Sequence, residues 1–140
     1  MNSLREFKEW VLNLNESTLD EIISYYDENV FFKDPFNEFN GREKLKKLFL
    51  HMFITFKNPH FVFIDTIENS EEIFLTWDFI FSYKEKLFKI HGSSHLKLND
   101  KEKIVYHRDY WDVGEELLLK IPLIKSLYGF FQNKLALSFN

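Results

Sequence analysis

The apolar residues of this chain recur every three or four positions in the stretches 4–26 and 45–53, and every second position from residue 59 to about 111. That switch constrains the fold more than any other feature. A 3.6-residue period belongs to helices with one buried face, and a two-residue period belongs to strands. Leu4, Phe7, Val11 and Leu14, with Trp10 beside them, predict an amphipathic helix. Ser17 followed by Asp20 is an N-cap signature for a second helix, with Leu19, Ile22, Ile23 and Tyr26 on its apolar side. Val30 to Phe32 reads as a short strand that Asp34-Pro35 ends, because a residue before proline is pushed out of the helical region. Gly41 opens a third helix with the stripe Leu45, Leu48, Phe49, Met52 and Phe53.

Four long strands then follow: Phe61 to Thr66, Ile73 to Tyr83, Leu87 to Leu98, and Lys103 to Trp111. Between them lie Glu68-Asn69-Ser70, Lys84-Glu85-Lys86 and Asn99-Asp100-Lys101, turn clusters at hairpin spacing. Helices first and a strand meander afterwards imply an α+β fold, an antiparallel sheet covered on one face by helices. Asp112-Val113-Gly114-Glu115 is a capping-box variant for a short helix running to about Lys120, and Pro122 suits the first position of another. In that last helix Leu123, Ile124, Leu127, Tyr128, Phe130, Phe131, Leu135 and Leu137 leave little polar surface. Its expected cover is its own domain or a dimer mate; closing a pocket, docking a partner or lying on a membrane surface are lesser alternatives. No linker composition divides the 140 residues, so residues 1–112 are expected to form one domain and 113–140 a helical extension of it.

Composition narrows the function. Phenylalanine supplies 17 residues, and a side chain with large apolar area and no hydrogen-bonding group fills cores and lines greasy cavities alike. A net charge of −4 gives no electrostatic footprint for nucleic acid. The absence of cysteine excludes disulfides, thiolate metal sites and a cysteine nucleophile. The five histidines show no ligand spacing beyond the pair His91 and His95, so no metal is expected. MNSLREFKEW is not a secretion signal and no stretch approaches about 20 apolar residues, which makes the cytoplasm the default location.

Strand parity sorts the polar residues. Leu75, Trp77, Phe79 and Phe81 share the greasy face of their strand, against Thr76, Asp78 and Ser82. In the last strand His107, Asp109 and Trp111 share one face. Two residues apart, His107 and Asp109 are spaced to flank a common ligand more readily than to touch each other.

The stretch Val30-Phe31-Phe32-Lys33-Asp34-Pro35-Phe36, then Gly41-Arg42-Glu43, and finally Tyr110-Trp111-Asp112, resembles the ketosteroid isomerases. These belong to the nuclear-transport-factor-2-like superfamily, with the SnoaL-like polyketide cyclases and limonene epoxide hydrolases. The resemblance runs loosely from Phe7 to Asp112 and implies a cone-shaped half-barrel around a hydrophobic pocket, commonly in a homodimer. By it, Asp34 falls on the isomerases' general base, and Trp111 on a pocket tryptophan, which carries His107 and Asp109 into the cavity. The isomerases' oxyanion donors, a tyrosine and a protonated aspartate, are matched by Trp10 and Ser94, which do not reproduce that acidic pair.

Two readings stand for each polar residue. Asp34 is a base against the apolar wall of Phe31, Phe36 and Phe53, or a loop residue bonding its own backbone. His107 with Asp109 is an acid/base pair, or a buried pair satisfying itself. Trp10, Trp77 and Trp111 line the pocket or fill the core. The expected activity is proton transfer without a cofactor on an apolar small molecule, with catalytic Asp34, His107 and Asp109. Trp10, Tyr26, Phe36, Phe53, Trp77, Phe79, Ser94 and Trp111 would contact the substrate. The alternative is a non-catalytic module that encloses an apolar ligand or dimerises.

Overall fold

The computed structural model describes residues 4–120 and 122–135. Helix α1 is Leu4–Leu12, followed by a 3-10 segment Leu19–Ser24, strands β1 (Tyr26–Lys33) and β2 (Glu38–Asn40), and helix α2 (Arg42–Thr55). Four strands succeed them, β3 (Lys57–Glu68), β4 (Glu72–Tyr83), β5 (Lys86–Leu98) and β6 (Ile104–Tyr110). Helix α3 (Val113–Glu116), a 3-10 turn (Leu118–Lys120) and α4 (Pro122–Leu135) end the described chain. The six strands form one curved, unclosed sheet in the order β2-β1-β6-β5-β4-β3.

The sheet is mixed rather than wholly antiparallel, because β1 runs parallel to β6. A strand that joins the sheet after a helical N-terminal segment is free to enter in either direction. Only the consecutive strands β3 to β6, joined by tight hairpins, are bound to alternate. The hairpins form where turn residues cluster. Asn69 Oδ1 accepts from Glu71 N and Glu72 N at 2.8 Å each, and Asn99 Oδ1 accepts from Lys101 N and Lys103 N at 2.9 and 3.0 Å.

Alternation in β4 fulfils its expected role: Ile73, Leu75, Trp77, Phe79 and Phe81 are all buried on the face that α1 and α2 cover. On β6 the register shifts between Lys97 and Leu98 of its β5 partner, so that Ile104 and His107, of opposite parity, are both buried. Two expected details differ. Ser17 does not cap a helix, since its N and Oγ both bond to Asn15 Oδ1, and residues 19–24 wind as a 3-10 segment. Tyr26 therefore leaves the helix and becomes the first residue of β1, buried beneath α1. Gly41 sits at φ +122°, a conformation L side chains rarely adopt, and turns the chain into α2. Asp112 caps α3 through Gly114 N and Glu115 N. Pro122 begins α4, while Leu137 and the side chains of Leu123, Ile124, Tyr128 and Phe131 lie outside the described residues.

Candidate functional site

Four neighbouring strands carry one polar chain across the concave face. On β6, His107 Nε2 lies 2.7 Å from Asp109 Oδ1, and His107 Nδ1 lies 2.9 Å from Tyr26 Oη on β1. Ser94 of β5 stands directly opposite Asp109 and donates to its Oδ1 at 2.5 Å. Trp77 of β4 donates its indole N–H to Ser94 Oγ at 2.8 Å. The sequence spacing of His107 and Asp109 suggested that they flank a ligand rather than touch, but they do touch. An imidazole reaches along the strand far enough to close the gap between two same-face positions.

Partners assign the protons. Burial, and then the charge of Asp109, holds the Tyr26 phenol well above the usual tyrosine range, so it keeps its hydrogen. His107 Nδ1 is the one acceptor recorded for that hydrogen, so in its neutral form the ring is the Nε2–H tautomer, donating to Asp109. Asp109 Oδ1 thus accepts two hydrogen bonds. Its Oδ2 accepts none among the described residues.

Neighbours hold this geometry. His107 stacks on Tyr26 at 5.9 Å and 13°, and tilts against Phe32 at 5.0 Å. Arg42 Nη1 donates to the Tyr26 carbonyl at 3.1 Å, while its buried Nε has no partner among the described residues. Gly92 faces Trp77 across β4 and β5, where a Cβ would come within 2.6 Å of the indole. Its bare backbone lets the ring lie flat and reach Ser94.

Tyr26, Trp77, Ser94, His107 and Asp109 all line one apolar cavity of ≈ 40 Å³, walled by Phe7, Val11, Leu14, Phe49, Phe61, Phe63, Leu75 and Leu96. A second, open groove of ≈ 510 Å³ runs along Lys33, Asp34, Pro35, Arg108, Tyr110, Trp111 and Asp112, and Asp109 lines it too.

Asp34 thus stands at the outer groove and apart from the inner cavity. Its Oδ1 accepts from Phe36 N at 2.8 Å, Asn37 N at 2.7 Å and Asn37 Nδ2 at 3.1 Å, a turn closed on its own loop. Phe36, mostly exposed, meets Trp111 edge-on at 5.6 Å beside it. Trp10 is buried, but its N–H bonds to Thr18 O at 2.9 Å and its ring stacks on Tyr25, not on the cavity. Phe79 packs against Phe61 and Phe81, and Phe53 is a half-buried residue of α2; neither lines the cavity. Gly92 was not singled out by sequence, although an isolated glycine inside a strand signals close approach of another group. The Tyr26–His107 contact, 81 residues apart, has no local signal.

The curved sheet, the helices over it and a polar chain opening on an apolar hollow define a nuclear-transport-factor-2-like α+β protein. Residues 7–107 match the SnoaL-like domain, and the chain belongs to that family. Among solved structures, a protein of unknown function with this fold from Burkholderia pseudomallei superposes with a TM-score of 0.72 at 12% identity, over 86% of this chain and 97% of that one. An LEH-like epoxide hydrolase from M. tuberculosis gives 0.70 at 12% identity, over 89% and 95%. A ketosteroid isomerase-like protein from Catenulispora acidiphila, solved with trimethylamine, gives 0.68 at 13% identity, over 79% and 88%. No curated protein matches the chain significantly.

Proposed function

We propose that this chain is a cofactor-independent enzyme that moves a proton on an apolar small molecule held in the inner cavity, with Asp109 as the base. The observation that carries this reading is the asymmetry of Asp109. Oδ1 is gripped by Ser94 and His107, Oδ2 accepts no hydrogen bond among the described residues, and the residue lines both the apolar cavity and the outer groove. A carboxylate so held takes a proton on Oδ2, from a carbon or from water, without turning. The His107 N–H stays on Oδ1 throughout, and Tyr26 keeps the ring in the required tautomer. Isomerisation, dehydration, cyclisation and epoxide opening all use such a group. Asp34 in this reading secures its loop at the outer groove.

A cavity of ≈ 40 Å³ is far below the roughly 300 Å³ at which ligand pockets begin. A terpenoid or polyketide therefore enters as α1, which contributes Phe7 and Val11, moves outward. The same small volume favours a second reading, a module that encloses an apolar ligand without reacting. The protein is taken as a cytoplasmic homodimer in either case, a state supported by Phe74, Val62 and Tyr110 exposed on the opposite sheet face. Incubation in D2O with a panel of apolar ketones and epoxides, followed by mass spectrometry, tests the proposal. The enzyme reading expects deuterium uptake or turnover that Asp109→Asn abolishes while ligand binding persists. Binding with no chemistry in either protein supports the module.

A further inference from the structure

Helix α4 spans 14 residues, about 21 Å at 1.5 Å per residue, and its main neighbour among the described residues is the turn Leu118–Lys120. At 100° per residue, Leu127, Phe130 and Leu135 fall within an arc of roughly 140°, and Lys125, Ser126 and Asn133 fall opposite. Within that arc Leu127 is 61% exposed, Phe130 57% and Leu135 82%. Lys134 lies in the same arc with its ammonium 5.6 Å from the Phe130 ring centre, a long stem along apolar surface with a charged tip.

The base of the helix is tied to the β4–β5 hairpin. Lys86 Nζ donates to Lys120 O at 2.9 Å, and Lys120 Nζ to Lys89 O at 2.7 Å. This hairpin also exposes Leu87, at 70%. Residues 83–89 and 113–135 together carry six lysines and three glutamates, so they contribute +3 to a net charge of −4 and the rest of the chain −7. Two of the lysines are partly answered locally, Lys89 by Asp78 and Lys120 by Glu116. Between Leu117 and Leu135 there is no acidic residue.

We infer that α4 and the adjoining hairpin dock this protein on an anionic lipid surface, with α4 lying in the interface. Exposed leucine and phenylalanine on one arc, a lysine reaching out of it and a basic base are what such a surface accepts. The charge asymmetry turns this end towards an anionic surface and the rest of the molecule away from it. At 14 residues the helix is too short to cross a bilayer.

The test is co-sedimentation of the full chain with phosphatidylcholine vesicles with and without phosphatidylglycerol. Sedimentation velocity is run on the same samples without lipid. Binding to the anionic vesicles is expected to exceed that to neutral ones by about tenfold and to weaken with salt. Leu127→Glu with Leu135→Glu should lower it by about tenfold or more, with the circular dichroism and melting of the sheet domain unchanged. The inference is overturned if anionic vesicles do not bind, or if the double variant binds as the parent does. It is equally overturned if the double variant's one effect is to dissociate an oligomer, which would give the arc to a second copy.

Discussion

Substituting Gly92 by alanine perturbs the polar chain at one end, by pressing on the indole of Trp77. The added Cβ would lie 2.6 Å from the nearest Trp77 ring carbon and within 3.0 Å of two others, closer than such carbons approach. Gly92 and Trp77 are direct cross-strand partners near the middle of the sheet, so the backbone has little room to yield and the indole must turn. Overpacking of this kind costs about 1–3 kcal/mol. Turning the ring also breaks the Trp77–Ser94 hydrogen bond, a buried interaction worth about 1 kcal/mol. The sum, about 2–4 kcal/mol, corresponds to a melting temperature lower by roughly 6–16 °C in a chain of this length. Thermal denaturation followed by circular dichroism measures it. Trp77→Phe in the same background removes the clash, so the double variant should fall short of the summed single losses by about 1 kcal/mol or more. If Gly92→Ala melts within about 2 °C of the parent, or the two losses simply add, the steric account is wrong.

The raised phenol of Tyr26 stabilises the fold below the ordinary tyrosine value of 10.0, and that contribution is lost as pH climbs from there towards the folded-state value; urea midpoints should fall with alkali above pH 10 more steeply in the parent than in Tyr26→Phe. Asp34→Ala removes four hydrogen bonds within one loop, two of them from the same Asn37 amide, and should cost about 1–2 kcal/mol in denaturant unfolding, while leaving ligand binding and any turnover in the inner cavity unchanged. Burial alone would raise the Asp78 carboxyl, but His91 and Lys89 together outweigh it and hold the group below its usual range; the pair therefore contributes stability above pH 3.8 that fades as acid protonates the folded state. The acid limb of the stability curve should be shallower in Asp78→Asn.

What sequence could show was whatever is local. The two-residue period of β4 placed Leu75, Trp77, Phe79 and Phe81 on the buried face because a strand alternates whatever its partners are. The same parity put His107 and Asp109 together on β6. Asp112 and Pro122 likewise mark helix starts through chemistry within a few residues of themselves. Long-range pairing was not legible. Leu19, Ile22, Ile23 and Tyr26 carry a helical spacing, but only six residues wind, as a 3-10 segment, and Tyr26 is drawn into β1 beside Ile104. Its hydroxyl then meets a histidine 81 positions away. The parallel pairing of β1 with β6 is of the same kind, since nothing in either strand names the other. Asp34 shows the limit of a motif. The residue lies before proline and phenylalanine as the resemblance requires, yet its carboxylate is closed on its own turn, a detail that only the loop's backbone reveals.

Ser94 and His107 hold Asp109 by its Oδ1 at the wall of an apolar cavity, and the histidine reports on that grip. Long-range ¹⁵N–¹H correlation spectra of the imidazole rings read it directly. His107 should show the Nε2–H tautomer with Nδ1 as a hydrogen-bonded acceptor, and Tyr26→Phe should shift Nδ1 towards an unbonded position. An Nδ1–H pattern, or a ring indifferent to loss of the Tyr26 hydroxyl, would contradict the arrangement on which the proposed chemistry stands.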